Sequence, residues 1–99
     1  MFGSMFRMRP KAGEEQAVEK VFRRWADERR PKVAGAVASY VLKPRNRPGE
    51  LLGMAVFDTE ENYIKNANDP EQDRWYRELR SHLEADPEWN DGDIILSLS

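Results

Sequence analysis

The stretch VAGAVASYVLK-PRNRPGE-LLGMAVFD, residues 33–58, decides how this chain folds. Two β-rich runs, Val33–Lys43 and Leu51–Asp58, flank turn chemistry in which Pro44, Asn46, Pro48 and Gly49 crowd together. The pattern predicts a hairpin with a loop of about six residues, slightly longer than most. Apolar residues occupy both parities of each strand. Leu51, Gly53, Ala55 and Phe57 alternate with Leu52, Met54 and Val56, while Ala34, Ala36, Ala38, Tyr40 and Leu42 alternate with Val33, Val37 and Val41. A sheet with one wet face alternates apolar with polar residues, so these strands require cover on both sides.

Upstream, Phe2–Arg9 reads as a short strand, with Phe2, Phe6 and Met8 on one face and Gly3, Arg7 and Arg9 on the other. Pro10–Gly13 closes it. The period then changes: Ala17, Val18, Val21, Phe22 and Trp25 form one helical stripe, with Glu14 and Glu15 in the first turn and Arg29 and Arg30 near the last. Pro31 ends that helix. Downstream, Asp58 or Thr59 caps a short helix holding Tyr63, Ile64 and Ala67, and Asp69-Pro70 restarts it as N-cap and first helical residue. Trp75, Tyr76, Leu79 and Leu83 make the next stripe. Asp86-Pro87 breaks it, Asp91-Gly92 reads as a turn, and Ile94–Leu98 reads as a closing strand. The order β-α-β-β-α-β, with a split second helix, predicts a ferredoxin-like α+β sandwich on an antiparallel sheet, one domain over residues 1–99. Two helical layers cover one sheet face only. A second copy, sheet against sheet, is the expected cover for the other, and a monomer binding an apolar ligand there is the competing arrangement.

The composition suits a small core in a wet surface: 99 residues, 34% charged, with a mean hydropathy of −0.84. Three Trp and three Tyr in periodic apolar blocks argue for a folded chain against a disordered one. No apolar run approaches the ~18 residues of a membrane helix and no leader pattern is visible, so a cytoplasmic protein is expected. Zero Cys excludes thiol chemistry, and one His without a carboxylate cluster argues against a metal site. Residues 1–49 carry twelve Lys and Arg against five Asp and Glu, and residues 50–99 four against thirteen. Side-by-side helices reconcile this: Arg23, Arg24, Arg29 and Arg30 would face Asp69, Glu71, Asp73, Glu78 and Glu84. RNA-recognition domains share the strand order, but Met54 and Val56 stand where those domains place stacking aromatics, and the formal net charge is −2. No nucleic-acid partner is expected.

Val33–Val37, the third strand running through Phe57 to Tyr63, Asn68–Glu71, and the Leu79…Leu83 helix closing at Pro87 together resemble the antibiotic biosynthesis monooxygenase domains of the dimeric α+β barrel superfamily. The likeness spans roughly residues 2–98 and lies in the spacing of the whole set. It implies two sheets packed face to face and, in each protomer, a small pocket between sheet and helices. It also implies oxygenation of a small electron-rich aromatic, of quinol or polyphenol type, with O₂ and without cofactor. Haem-degrading members resemble one another in a first-strand Asn and in a Trp and a His around the second helical region. This chain has no Asn in Phe2–Arg9 and supplies no His near Asn66 or Trp75/Tyr76. Quinol-oxidising members often carry a His where this chain has Asn66.

His82 is the one side chain suited by its ordinary pKa to proton transfer near neutrality, and it is a candidate base for a phenolic proton. Tyr76 and Asn66 are candidate catalytic partners. Arg7 and Arg9 share a strand face and are candidates for holding an anionic substrate, with Tyr40, Met54, Tyr63 and Trp75 as candidate lining. Each also has a structural reading, as helix-edge packing, rim ion pair, core aromatic or cap. A non-catalytic dimeric barrel that binds a small ligand, or serves in stress, is the alternative function.

Overall fold

A computed structural model describes residues 1–98. Strand β1 (Phe2–Met8) leads into helix α1 (Glu15–Arg24), which loosens into a π-helical turn at Trp25–Arg29 and a 3-10 turn at Arg30–Lys32. The hairpin follows as β2 (Ala36–Leu42) and β3 (Leu51–Phe57). Helices α2 (Glu60–Ala67) and α3 (Pro70–Ser81) precede β4 (Glu88–Asp93). The four strands form one antiparallel sheet in the order β2-β3-β1-β4, the ferredoxin-like arrangement that the sequence pattern predicts.

The helix caps are those the sequence specifies. The Thr59 hydroxyl accepts from the Asn62 amide, and the Asp69 carboxylate accepts from the Glu71 amide with Pro70 at the first helical position. Gly35 precedes β2 at φ +77°, where an added Cβ would fall 2.1 Å from Asp58 Oδ1. Both the backbone angle and the space demand glycine there.

Three sequence expectations need correction. Pro31 lies within the 3-10 turn, and α1 has already ended at Arg24. The closing strand is Glu88–Asp93, and residues 94–98 lie beyond it. The reason is where α3 delivers the chain. Glu84 donates to the Arg9 carbonyl and Leu83 bridges Pro10 immediately after the helix, so the chain is beside β1 before residue 88. Asp91 and Gly92 then pair with Ser4 and Gly3 as ladder residues, not as a turn.

The ladder decides which face each residue takes. Phe2, Ser4, Phe6 and Met8 of β1 lie opposite Phe57, Ala55, Gly53 and Leu51 of β3, and this parity meets the helices. At one end it packs solidly. Met8 and Leu51 join Val18 and Val21 of α1 and Leu79 and Leu83 around α3, all 5% exposed or less. The opposite parity carries Met5, Tyr40 and Leu42, at 58%, 66% and 57% exposure, with Leu52 and Met54 between them. The apolar pattern on both parities is therefore real, and one of the two faces is open in the single chain.

Phe6 crosses the sheet face and lays its ring over Gly53, where an added Cβ would lie 2.1 Å from the ring. That ring is 5% exposed and stacks between Phe22 and Trp89, so it has nowhere to move. Gly53→Ala is expected to destabilise the fold by about 1–3 kcal/mol, the usual cost of overpacking. Denaturant melts read this directly, and an unchanged midpoint would show that the Phe6 ring is not held.

Candidate functional site

Between the sheet and the helices lies a cavity of about 660 Å³. Its floor is one row of the ladder. Ser39, Ala55, Ser4 and Asp91 sit side by side across β2, β3, β1 and β4, and the first three are too small to reach the helices. The flanking rows carry Phe6 and Trp89 on one side and Phe2 and Phe57 on the other. The cavity is the gap that small residues leave between rows of large ones.

The helices supply aromatic walls. Phe22 and Trp25 come from α1 and its π-helical turn, Tyr63 and Asn66 from α2, and Trp75 and Tyr76 from α3. Phe22 meets Trp75 edge to face at 5.2 Å, and Trp25 lies 6.2 Å from Trp75. Both indole N–H groups are spent on protein acceptors: Trp25 donates to Gln72 Oε1 at 2.8 Å and Trp75 to the Val21 carbonyl at 2.9 Å. The rings are thus fixed in orientation and offer π surface to whatever enters.

Most of the polar groups of the lining are held by protein partners. The Ser4 and Tyr63 hydroxyls both donate to Asp91 Oδ1, at 2.5 and 3.1 Å. The Tyr76 hydroxyl donates to Asp86 at 3.1 Å, and Arg80 pairs with the same carboxylate at 2.8 Å. Asn66 Oδ1 accepts from the buried Arg29 guanidinium at 2.9 Å, which leaves the Asn66 amide N–H groups as donors. Arg29 also pairs with Asp69 at 3.5 Å. Among the described residues no group of three or more His, Cys, Asp or Glu is arranged to hold a metal ion.

Of the residues singled out from sequence, Tyr63, Asn66, Trp75 and Tyr76 line this cavity together. The others lie elsewhere. His82 caps the C-terminus of α3, half-buried, with Nδ1 3.0 Å from Glu14 Oε1, and it is not a lining residue. Arg7 lies on the open face opposite Glu88 and pairs with it at 2.9 Å. Arg9 lies past the strand end and pairs with Glu50. Tyr40 and Met54 face each other across β2 and β3 on the open face. Ser4, Gln72, Trp89 and Asp91 line the cavity without having been singled out. Trp89 and Asp91 carry the period-2 spacing of a strand, a signal hidden by reading Asp91-Gly92 as a turn.

No family model matches the chain, and no curated protein matches it in sequence. Solved structures do match it in fold. SnoaB, a cofactor-independent oxygenase from Streptomyces nogalater, is 18% identical with a TM-score of 0.82, over 98% of this chain and 95% of that one. An antibiotic biosynthesis monooxygenase structure is 12% identical with a TM-score of 0.78, over 97% of this chain and all of that one. A conserved protein from Methanosarcina mazei Go1 is 14% identical with a TM-score of 0.80, over 92% of this chain and 89% of that one. The fold is that of the antibiotic biosynthesis monooxygenase structures, as the sequence resemblance implied.

Burial raises the pKa of both cavity tyrosines, against the Ser4 hydroxyl and with Asp91 at Tyr63, and with the bond to Asp86 against Arg80 at Tyr76. In the unfolded chain they ionise at the ordinary value near 10. The stability held by their protonated form is therefore complete below about pH 10 and declines as pH rises from there through the raised folded values. Replacing both by Phe is expected to flatten that decline in denaturant melts taken across the alkaline range. Equal slopes in variant and parent would contradict it.

Proposed function

We propose that this chain is a cofactor-independent monooxygenase of a small electron-rich aromatic, of quinol or polyphenol type. The observation that carries the reading is the cavity itself: about 660 Å³ and walled by aromatic rings whose indole N–H groups are held by the protein. A flat polycyclic ring fits between Trp75 and the small-residue floor, with the Asn66 amide donating to a ring oxygen.

The chemistry needed from the protein is modest. An electron-rich phenolate can reduce O₂ itself, so the protein need only bind, orient, stabilise the oxyanion and exclude water. In the overall reaction one atom of O₂ enters the substrate as a quinone carbonyl. The other leaves as water, carrying one hydrogen from the phenolic hydroxyl and one from the oxidised ring carbon. Asn66 stabilises the phenolate oxygen, Trp75 and Phe22 hold the ring, and the Tyr76 hydroxyl orients a second polar group. His82, outside the cavity, takes no part in this scheme.

The functional unit in this proposal is a homodimer closed over the open sheet face. Met5, Tyr40 and Leu42 are exposed there, as are Ile95, Leu96 and Leu98 just beyond β4, and a contact with a second copy would take this apolar face out of water. Among the described residues no helix is long and apolar enough to cross a membrane.

Oxygen uptake with a dihydroxynaphthalene, in the presence of a chelator and without added flavin, tests the activity. The expected product is the corresponding hydroxynaphthoquinone, one per O₂ consumed. Asn66→Ala is expected to lower kcat/KM about 100-fold, the scale of losing one preorganised donor, whereas His82→Ala leaves it unchanged. Binding without oxygen uptake would instead favour a non-catalytic ligand-binding barrel. Light scattering should give twice 11.6 kDa, and Tyr40→Glu with Leu42→Glu should give the monomer. A monomeric parent would overturn the dimer.

A further inference from the structure

Four charged side chains line the cavity: Arg30, Asp73, Asp86 and Asp91. Three are engaged. Arg30 donates to the Val37 carbonyl at 3.1 Å, Asp73 pairs with Arg77 at 3.0 Å, and Asp86 pairs with Arg80 at 2.8 Å. Asp91 differs from the other two carboxylates, because no ion pair among the described residues includes it. Its two hydrogen bonds, from Ser4 and Tyr63, both fall on Oδ1. Among the described residues no hydrogen bond reaches Oδ2.

The surroundings of Asp91 hold it in this pose. Ser4 is 1% exposed and lies directly opposite Asp91 in the β1–β4 ladder, so its hydroxyl fixes the carboxylate from the sheet side. Tyr63 fixes it from α2, and its ring is held against Phe2 and Phe57 at 5.1 and 5.5 Å. Burial together with the adjacent carboxylate keeps Tyr63 protonated, so it remains a donor to Oδ1. Asp91 is itself exposed, at the rim of the aromatic cavity, with Oδ1 taken up by two donors and Oδ2 open as an acceptor.

We infer that Asp91 is the specificity-determining residue of this cavity, accepting a ring hydroxyl on Oδ2 and excluding aromatic carboxylates. The inference rests on the reading of the cavity as an aromatic site and names which aromatics it takes. A hydroxyl donating to a carboxylate makes a charge-assisted bond, stronger than its neutral counterpart. A ligand carboxylate would meet a carboxylate of like sign that no ion pair among the described residues offsets, and the one lining cation, Arg30, donates to the Val37 carbonyl on β2, the sheet edge opposite β4. Arg7 and Arg9, the cations that the sequence offered for an anionic ligand, lie outside the cavity.

The test is an anaerobic titration of the purified protein with 1-naphthol and with 1-naphthoate at neutral pH, read by quenching of Trp25, Trp75 and Trp89. The parent is expected to bind 1-naphthol at least about tenfold more tightly, the scale separating a charge-assisted bond from an unmade one. Asp91→Asn keeps the shape and removes the charge, and is expected to close most of that gap. Tyr63→Phe keeps the charge and should keep the gap, and circular dichroism checks that both variants fold. Comparable binding of the two ligands by the parent, or an unchanged ratio in Asp91→Asn, overturns the role of Asp91 while leaving the aromatic cavity standing. Binding of neither ligand overturns the aromatic reading, and this inference with it.

Discussion

The cavity exists because one row of the sheet is made of small residues. Ser39, Ala55 and Ser4 lie in register, and the neighbouring row places Phe6 over Gly53. If the row at Ala55 carried side chains like those at Leu51, the cluster of Met8, Val18, Leu79 and Leu83 would continue along the sheet and the two layers would close. Instead the solid core occupies one end of the sandwich and the cavity the other. The core stabilises the layer spacing that the cavity requires, since isolated small residues would otherwise let the helices collapse onto the sheet.

That division explains why so many aromatics appear in a short, highly charged chain. Trp75 touches the core on one side and lines the cavity on the other, and Phe22 and Tyr76 do the same. Such residues contribute burial to the fold and π surface to the site together. Their polar tips are satisfied by the protein, Trp75 by the Val21 carbonyl and Tyr76 by Asp86, so the faces turned to the cavity are apolar without leaving a donor orphaned.

The local features were legible in the sequence because their causes are local. Asp69-Pro70 specifies a helix start through its own side-chain geometry, and the alternating strands declare themselves by period. Tyr63, Asn66, Trp75 and Tyr76 could be singled out because they sit on helices near apolar stripes. Asp91 and Ser4 could not, since they meet only through a ladder joining residues 87 apart in the chain. His82 misled for a related reason. Its wheel position points toward the core edge, but it is the C-cap at the end of α3, where its ring meets Glu14 ahead of α1 and not the cavity. The Asp91-Gly92 pair carries turn chemistry that the ladder overrides, because Gly92 pairs with Gly3 where neither needs a side chain.

The charge asymmetry between the two halves of the chain follows from the same layout. Arg24 pairs with Glu78, and Arg29 reaches Asp69, so the basic end of α1 and the turn after it are drawn to α3 and its N-cap. Arg23 and Arg30 are not part of this tie, pairing instead with Glu19 and with the Val37 carbonyl. Arg29 matters most, because it is buried at 9% exposure with its Nε unpartnered. A buried guanidinium is costly unless its remaining donors are well placed. Here they hold Asn66 Oδ1 and the Asp69 carboxylate, the end of α2 and the cap of α3. The π-helical turn at Trp25–Arg29 carries Trp25 at one end, against the cavity, and Arg29 at the other, against the α2–α3 junction. A regular α-helix would advance the chain differently over those residues, and both placements depend on it. The irregular turn and the buried cation together keep the helical wall apart from the sheet where the small-residue row leaves nothing to lean on.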